Sequence, residues 1–587
     1  MINPLHFAPL RPRLRRSASA GPPKVFRRRV CVLALVSSSL FSSTSIAQEK
    51  RFVERSQELG FDFVHDNFSS GERYMVETFG SGLVVFDANG DGLLDIYCMQ
   101  GAPIDTVTNA KPNQLFLQQP DGRFRDATAA SGIGDTGYGM GATYGDIDRD
   151  GDLDLYVANF RGNVLYRNRG DGTFEDVTEG AGVRGAGWST STGFFDTDND
   201  GDLDLYVVNY VDFDYDNHKW CGDSVKKIRA YCHPDVYNGI PDTIYINDGT
   251  GKFTVAGPEA GIPQDTDGKG LGLTFGDLDG DGLGDVYVAN DSTMNYLLLG
   301  QGNGRFVESA LMTGTGYNGS GTPEASMGAD IGDLDGDGRQ EIFITHLDFE
   351  TNTLYRNSNM GMFSDYTDAA GLGAPSLIWV GFGTIFIDHD HDTDLDIFIT
   401  NGHIIDNIEQ LNPDTTYRQP SQLFDNKGDG HFVEISEVLD LPKNLVGRGA
   451  ASGDFDRDGD LDIAFVQNNG PAKILFNVME EKGNALAIVL QGTKSNPQGY
   501  GARLELTVGG KRQQVRDVRS AMSYQSQSSL EVFFGLGAAA EADELVVKWP
   551  SGQVDKYGPL RSGFLYTVTE GKPDLRTQEF KNSSTQE

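Results

Sequence analysis

Short apolar runs recur along the chain, and an acidic residue stands near the start of each. Leu203-Asp204-Leu205-Tyr206-Val207-Val208 and Leu395-Asp396-Ile397-Phe398-Ile399 are examples. β-Branched and aromatic residues dominate these runs, and each is too short for a helix of ordinary length, so they predict strands. Between them lie turns of the type Asn-x-Gly-Asp-Gly-x-Phe, as at 168–174 and 426–432, with a degraded copy at 357–363. Such turns predict hairpins. Phe124, Phe174, Phe253, Phe306, Phe363 and Phe432 mark six internal copies. The pattern predicts an all-β chain built from one repeated unit.

The acidic residues follow a fixed spacing, Asp-x-Asp-x-Asp-Gly-x-x-Asp. Positions one, three, five and nine are Asp87, Asn89, Asp91, Asp95 in the first copy. The next three copies carry Asp146, Asp148, Asp150, Asp154; then Asp196, Asp198, Asp200, Asp204; then Asp277, Asp279, Asp281, Asp285. The last three carry Asp333, Asp335, Asp337, Glu341; Asp388, Asp390, Asp392, Asp396; and Asp454, Asp456, Asp458, Asp462. Glycine fills position six except in the sixth copy, where Thr393 stands.

Alternate side chains of a tight loop converge, and hard oxygen donors suit Ca²⁺ with six to eight ligands. Without a cation, several carboxylates within about 5 Å would repel strongly. Seven copies therefore predict seven Ca²⁺ sites, with a position-seven carbonyl completing each shell. They are not EF-hands, which need Glu at position twelve and flanking helices. His389 and His391 occupy even positions of the sixth copy and are expected to point away from the cation.

Five positions before the first Asp stands Gly82, Gly141, Gly272, Gly328, Gly383 or Gly449, with Ser191 as the exception. Such small residues predict inner strands crowded around a common axis. Six Phe hairpins serve seven acidic loops, and the missing strand is found at 51–56, which parallels 123–128. A first strand that completes the last unit closes a ring, so 48–480 reads as a seven-bladed β-propeller. Residues 481–570 show further strand runs at 486–490, 504–508 and 545–549 and predict a small C-terminal β domain; a disordered tail, 571–587, follows.

The formal net charge is −37, from 85 acidic and 48 basic residues. Eight of the basic residues fall in the first 47, which hold no acid; without them the balance is −45. That charge excludes nucleic acid and anionic lipid as natural partners. Residues 27–47 read Arg-Arg-Arg, an apolar stretch, then Ser-Ile-Ala, which predicts a signal peptide cleaved near Ala47. No other segment is long and apolar enough to span a membrane. The expected destination is secreted, periplasmic or cell-surface, where disulfides form. Cys221 and Cys232 are expected to pair, Cys98 to be a buried thiol. Lys511, Arg512, Arg516 and Arg519 read either as an anion or partner site or, preferably, as a solvated strand face.

The acidic loops resemble the FG-GAP (VCBS-type) repeats of integrin α-subunit propellers. The wider arrangement, with Tyr231-Cys232-His233-Pro234 and Val288-Ala289-Asn290-Asp291-Ser292, resembles the bacterial relatives of cartilage acidic protein 1. Gly501-Ala502-Arg503, Tyr524-Gln525-Ser526-Gln527-Ser528, Phe534-Gly535-Leu536-Gly537 and Trp549-Pro550-Ser551-Gly552 resemble the UnbV/ASPIC domain. The resemblance implies a secreted protein acting through extracellular contacts.

No Gly-x-Ser-x-Gly, His-Glu-x-x-His or Cys-x-x-Cys-His motif is present. Two function classes follow. One is an exported calcium-binding scaffold for an extracellular protein or glycan. The other is a propeller-based enzyme acting on polysaccharide or another extracytoplasmic substrate, with calcium structural or Lewis-acidic. The missing catalytic set favours the first.

Overall fold

A computed structural model describes residues 49–581 except 105–109, 360 and 511. The expected signal peptide lies outside these residues, as do the side chains of Lys511 and Arg512. The chain is all-β and β-propeller-like. Among the described residues, seven four-stranded antiparallel sheets follow one another from 52 to 477. In the second, Tyr138–Gly145, Asp154–Phe160, Val164–Asn168 and Phe174–Asp176 pair in chain order. The position-nine acid opens the second strand of every sheet. In the last sheet the fourth strand is Phe52–Glu54, with Phe52 opposite Asn477 and Glu54 opposite Leu475. Each first strand touches the first strand of the next sheet, and the last touches the first.

Crowding at the inner strands is severe. A Cβ on Gly328 would lie 2.1 Å from Phe382 O, and one on Gly383 would lie 2.5 Å from Arg448 O. Only glycine lets these backbones meet.

The C-terminal region adds two four-stranded sheets. One runs Val532–Gly537, Asn484–Gln491, Phe564–Thr569, Arg576–Glu579; the other runs Arg512–Asp517, Arg503–Val508, Glu544–Lys548, Val554–Tyr557. The tail expected to be disordered from 571 instead supplies the strand Arg576–Glu579, because its backbone pairs with Phe564–Thr567 and Phe580 stacks on Phe533. Leu486, Ile488, Leu504, Leu545 and Trp549 share one apolar cluster with Ile147, Phe194 and Leu203 of the repeated sheets. The two regions thus bury apolar surface against each other.

One polar segment of this region, 519–529, lies along the inner strands. Ser523 N–H donates to Ala329 O (2.8 Å), Val85 N–H to Gln527 O (3.0 Å) and Tyr144 N–H to Gln527 Oε1 (3.0 Å). Ser523 Oγ accepts from Thr384 N–H (3.1 Å), Ser528 Oγ from Ser452 N–H (2.9 Å), and Ala521 packs with Leu273. The innermost strand of each sheet has an unpaired edge, and an unpaired buried N–H is costly. This segment gives partners to five of them, at Val85, Tyr144, Ala329, Thr384 and Ser452, and Ser523, Tyr524, Gln525 and Gln527 are all buried.

Candidate metal centres

Each acidic loop joins the first strand of a sheet to its second. The second copy shows how it is held. Asp146 accepts from Asp150 N–H and Gly151 N–H, both at 3.1 Å. Asp154 accepts from Ile147 N–H (3.1 Å) and, through its other oxygen, from Asn168 N–H on the third strand (2.8 Å). The ninth residue therefore ties loop, second strand and third strand together. Position six is left-handed in all seven loops, from φ 84° at Gly92 to φ 100° at Gly151. The same turn is forced on Thr393, at φ 93°.

Acids at positions one, three and nine converge. Oxygens of Asp146, Asp148 and Asp154 lie within 4.8 Å of one another, as do those of Asp196, Asp198, Asp204; Asp277, Asp279, Asp285; and Asp333, Asp335, Glu341. The fifth residue turns one oxygen to the position-seven N–H, as Asp150 does to Asp152 (3.0 Å). In the sixth loop His389 and Asp396 converge with Asp425. His389 does not point away from the site: its Nδ1 lies 2.5 Å from Asp396 Oδ2, and Arg51 holds its Nε2 at 2.5 Å. Spacing alone gave no signal for this contact, because it depends on the burial of the loop.

Burial pushes these carboxyls upward. Asp154 rises to about 8, Asp204 to about 7 and Glu341 to about 9, although backbone N–H groups oppose the shift. Position-one acids rise too, Asp146 to about 6 and Asp196 to about 7, with neighbouring loop carboxylates adding to burial. Buried, mutually repelling carboxylates made only of hard oxygens fit a divalent cation, which would reverse these shifts.

The C-terminal region covers this face. Arg503 donates to Gly338 O of the fifth loop, and Arg457 of the seventh pairs with Glu531. Gly537 N–H donates to His391 O (2.8 Å). Arg519 lies 2.5 Å from the buried Asp330, and Arg516 stands beside Asp333 and Asp388. The preferred expectation of a solvated strand face therefore fails for Arg516 and Arg519: the first stands beside loop carboxylates and the second pairs with Asp330 on an inner strand.

The remaining expectations are placed as follows. Cys221 and Cys232 form a disulfide, Cα–Cα 5.1 Å, and Cys98 is a buried free thiol whose pKa burial raises. Among the described residues no helix is long and apolar enough to cross a membrane.

Residues 87–157, 146–207, 233–288, 277–344, 333–399 and 414–465 match the FG-GAP-like repeat, and 492–575 match the ASPIC and UnbV domain. Cartilage acidic protein 1 of Mus musculus is 25% identical over 306 residues, covering 50% of this chain and 44% of that protein. Its Xenopus tropicalis counterpart is 25% identical over 324 residues, covering 54% and 45%. The match thus spans just under half the length of these relatives. A solved Agrocybe aegerita lectin, described as recognising non-reducing terminal N-acetylglucosamine, covers 67% of this chain and 87% of its own. At 16% identity and a TM-score of 0.38 that likeness carries no argument.

Proposed function

Since the chain belongs to the FG-GAP-like repeat family and ends in an ASPIC and UnbV domain, we propose that it is an exported, calcium-loaded binding scaffold for an extracellular protein or glycan. The ring is read as a seven-bladed β-propeller closed by the strand Phe52–Glu54. The observation that carries the reading is the recurrence of one acidic loop with one backbone path. In the second loop Asp146, Asp148, Asp150 and Asp154 would hold the cation; the other loops would use their equivalents, with Asn89 at position three of the first and Glu341 at position nine of the fifth. Calcium supplies positive charge to buried carboxylates and no reaction step. The residues themselves fix loop shape, and position nine transmits that shape to the third strand.

Filled sites would reduce the charge problem. The loops hold 27 carboxylates at ligand positions, and seven divalent cations bring the chain without its first 47 residues to about −31. The Cys221–Cys232 disulfide supports export, because it needs an oxidising compartment, and there weak sites would meet calcium on the order of 10⁻⁴–10⁻³ M.

Thermal melts before and after chelation provide the test. A cation that binds only the folded chain raises its melting temperature in proportion to the logarithm of its concentration. The expected result is a calcium-dependent rise. An unchanged melt after metal removal verified by elemental analysis overturns the proposal.

A further inference from the structure

In several sheets the connection between the second and third strands holds a left-handed residue. In the second, fourth and seventh sheets it is Arg161, Ser292 and Asn469, each polar. In the fifth it is Phe349, at φ 67° and 56% exposed. A bulky side chain rarely takes this conformation, and an aromatic ring gains nothing from solvent. The approach to the next first strand departs from the repeat as well. Eleven to nine positions before the first acid stand Asp135-Thr136-Gly137, Gly185-Ala186-Gly187, Thr266-Asp267-Gly268 and Thr322-Pro323-Glu324 in the second to fifth sheets. No aromatic or branched aliphatic side chain is among them. The sixth sheet has Leu377-Ile378-Trp379 there.

The two departures meet. Phe349 N–H donates to Leu377 O (2.6 Å), and Leu377 and Ile378 are 39% and 48% exposed. Exposed apolar residues scattered singly are ordinary, whereas a joined set marks an interaction site. Backbone strain kept at an exposed aromatic points the same way. The patch lies at the strand ends away from the acidic loops, and it stays open with the C-terminal region in place. Its surroundings are acidic. Asp348 adjoins Phe349 and is held by His403 (Nε2 at 3.5 Å) and Thr415. Burial raises its carboxyl, yet those two partners outweigh burial and keep it below the ordinary carboxylate value. Asp368 shares the connection that carries Leu377, and Glu409 and Asp414 share the one that carries His403 and Thr415; all three are exposed. Asp406 is already matched by Arg73. Arg418 is exposed too, but it donates to Asn444 O (3.3 Å).

A second copy would bring the same acids and a balance of −45 against itself, so it is a poor occupant. A basic partner is complementary. We propose that Phe349, Leu377 and Ile378 form the docking surface for a protein partner that presents an aromatic or aliphatic side chain between lysines or arginines. The apolar side chain covers Phe349 and Ile378, and the bases meet Asp368, Glu409 and Asp414 around them. This names a partner class for the scaffold proposed above and rests on its protein-binding form.

Phe349→Asn is the decisive variant. Asparagine tolerates the left-handed backbone, which Asn469 already adopts, and the ring it removes is mostly exposed. Its melting temperature is expected to be unchanged or higher. Random dodecapeptides displayed on phage are selected on the chain without its first 47 residues, in calcium. Recovered sequences are synthesised with a fluorescent label and titrated by polarisation. The expected peptides carry an aromatic or aliphatic residue flanked by Lys or Arg and bind with a Kd of about 1–100 µM. Phe349→Asn is expected to weaken them about tenfold or more, and Ile378→Ser about threefold. If Phe349→Asn does not fold, Ile378→Ser carries the test. The surface is overturned if no peptide binds below about 1 mM, if the recovered peptides are acidic or uncharged, or if binding survives both substitutions. Self-association in sedimentation that Phe349→Asn abolishes would assign the patch to a second copy instead. Flotation with phosphatidylcholine vesicles that the same change abolishes would assign it to lipid, and either result also overturns the proposal. Peptide binding beside a melt indifferent to calcium removes the calcium reading and leaves this surface standing. A calcium-dependent melt without peptide binding does the reverse.

Discussion

The second and sixth acidic loops share one backbone path in different surroundings. In the second, Gly151 takes the left-handed turn at position six, and Arg149 and Asp150 stand in solvent. In the sixth, Thr393 takes the same turn, while Asp388, His389 and His391 are buried. Position two is apolar Ile147 in the second loop, but His389 in the sixth reaches the ninth carboxylate. The path is therefore set locally, by position one accepting backbone N–H groups: Asp146 from Gly151, Asp388 from Thr393, both at 3.1 Å. What the loop does chemically depends on its cover. A Cβ on Gly535 of the C-terminal region would lie 2.1 Å from Asp388 Oδ2, which shows how closely that backbone presses on the sixth loop.

Removing the cover tests this most severely. A chain ending at residue 482 loses the apolar partners of Phe194 and Leu203 and the segment 519–529 that gives partners to five inner strand edges. Each buried donor left unpaired costs about 1–3 kcal/mol, and several are lost at once. The expected outcome is loss of a cooperative thermal transition, with dye binding to exposed apolar surface. A cooperative transition within a few degrees of the full chain's would show that the repeated sheets stand alone.

The contrast also explains what could be read from the residues. The acidic loops, the hairpins and the closing strand 52–54 were legible because each is a local pattern, repeated or displaced by a whole unit. The segment 519–529 was not. Tyr524-Gln525-Ser526-Gln527-Ser528 looks like a polar turn, since it is buried by hydrogen bonds to distant edges rather than by apolar periodicity. The orientation of Arg519 was hidden for the same reason: its partner, Asp330, is 189 residues away. His389 was misplaced because alternation along a loop says nothing about a side chain turned back by burial. The strand 576–579 escaped because its sequence, Arg-Thr-Gln-Glu, is wholly polar and pairs only through its backbone.

A second prediction separates metal-free from loaded loops. Unfolded carboxyls titrate near 4, whereas Asp154 and Asp204 in the folded, metal-free chain sit at about 8 and about 7. Between these values the folded state binds more protons, so stability falls as pH rises through the window. Calcium needs the ionised form, so its stabilisation grows over the same range. The chelated chain is expected to lose roughly 10 °C of melting temperature from pH 5 to pH 8, and saturating calcium to flatten or invert the trend. A metal-free melt that rises over this range would contradict the protonated, buried carboxyls.

The smallest effect bears on the shared backbone path itself. If local hydrogen bonds dictate the turn, Thr393 bears a conformational cost that glycine avoids, and Gly151 avoids a cost that alanine would bear. Thr393→Gly is then expected to stabilise the metal-free chain by about 0.5–1 kcal/mol, and Gly151→Ala to destabilise it by about 1 kcal/mol. Thr393 is partly buried and Gly151 exposed, so lost packing works against the first change and not the second. Denaturant unfolding of both variants without calcium reads the two signs. Equal destabilisation by both would mean that the threonine side chain is held by the cover over the sixth loop, and that the cover, rather than the turn, sets its conformation.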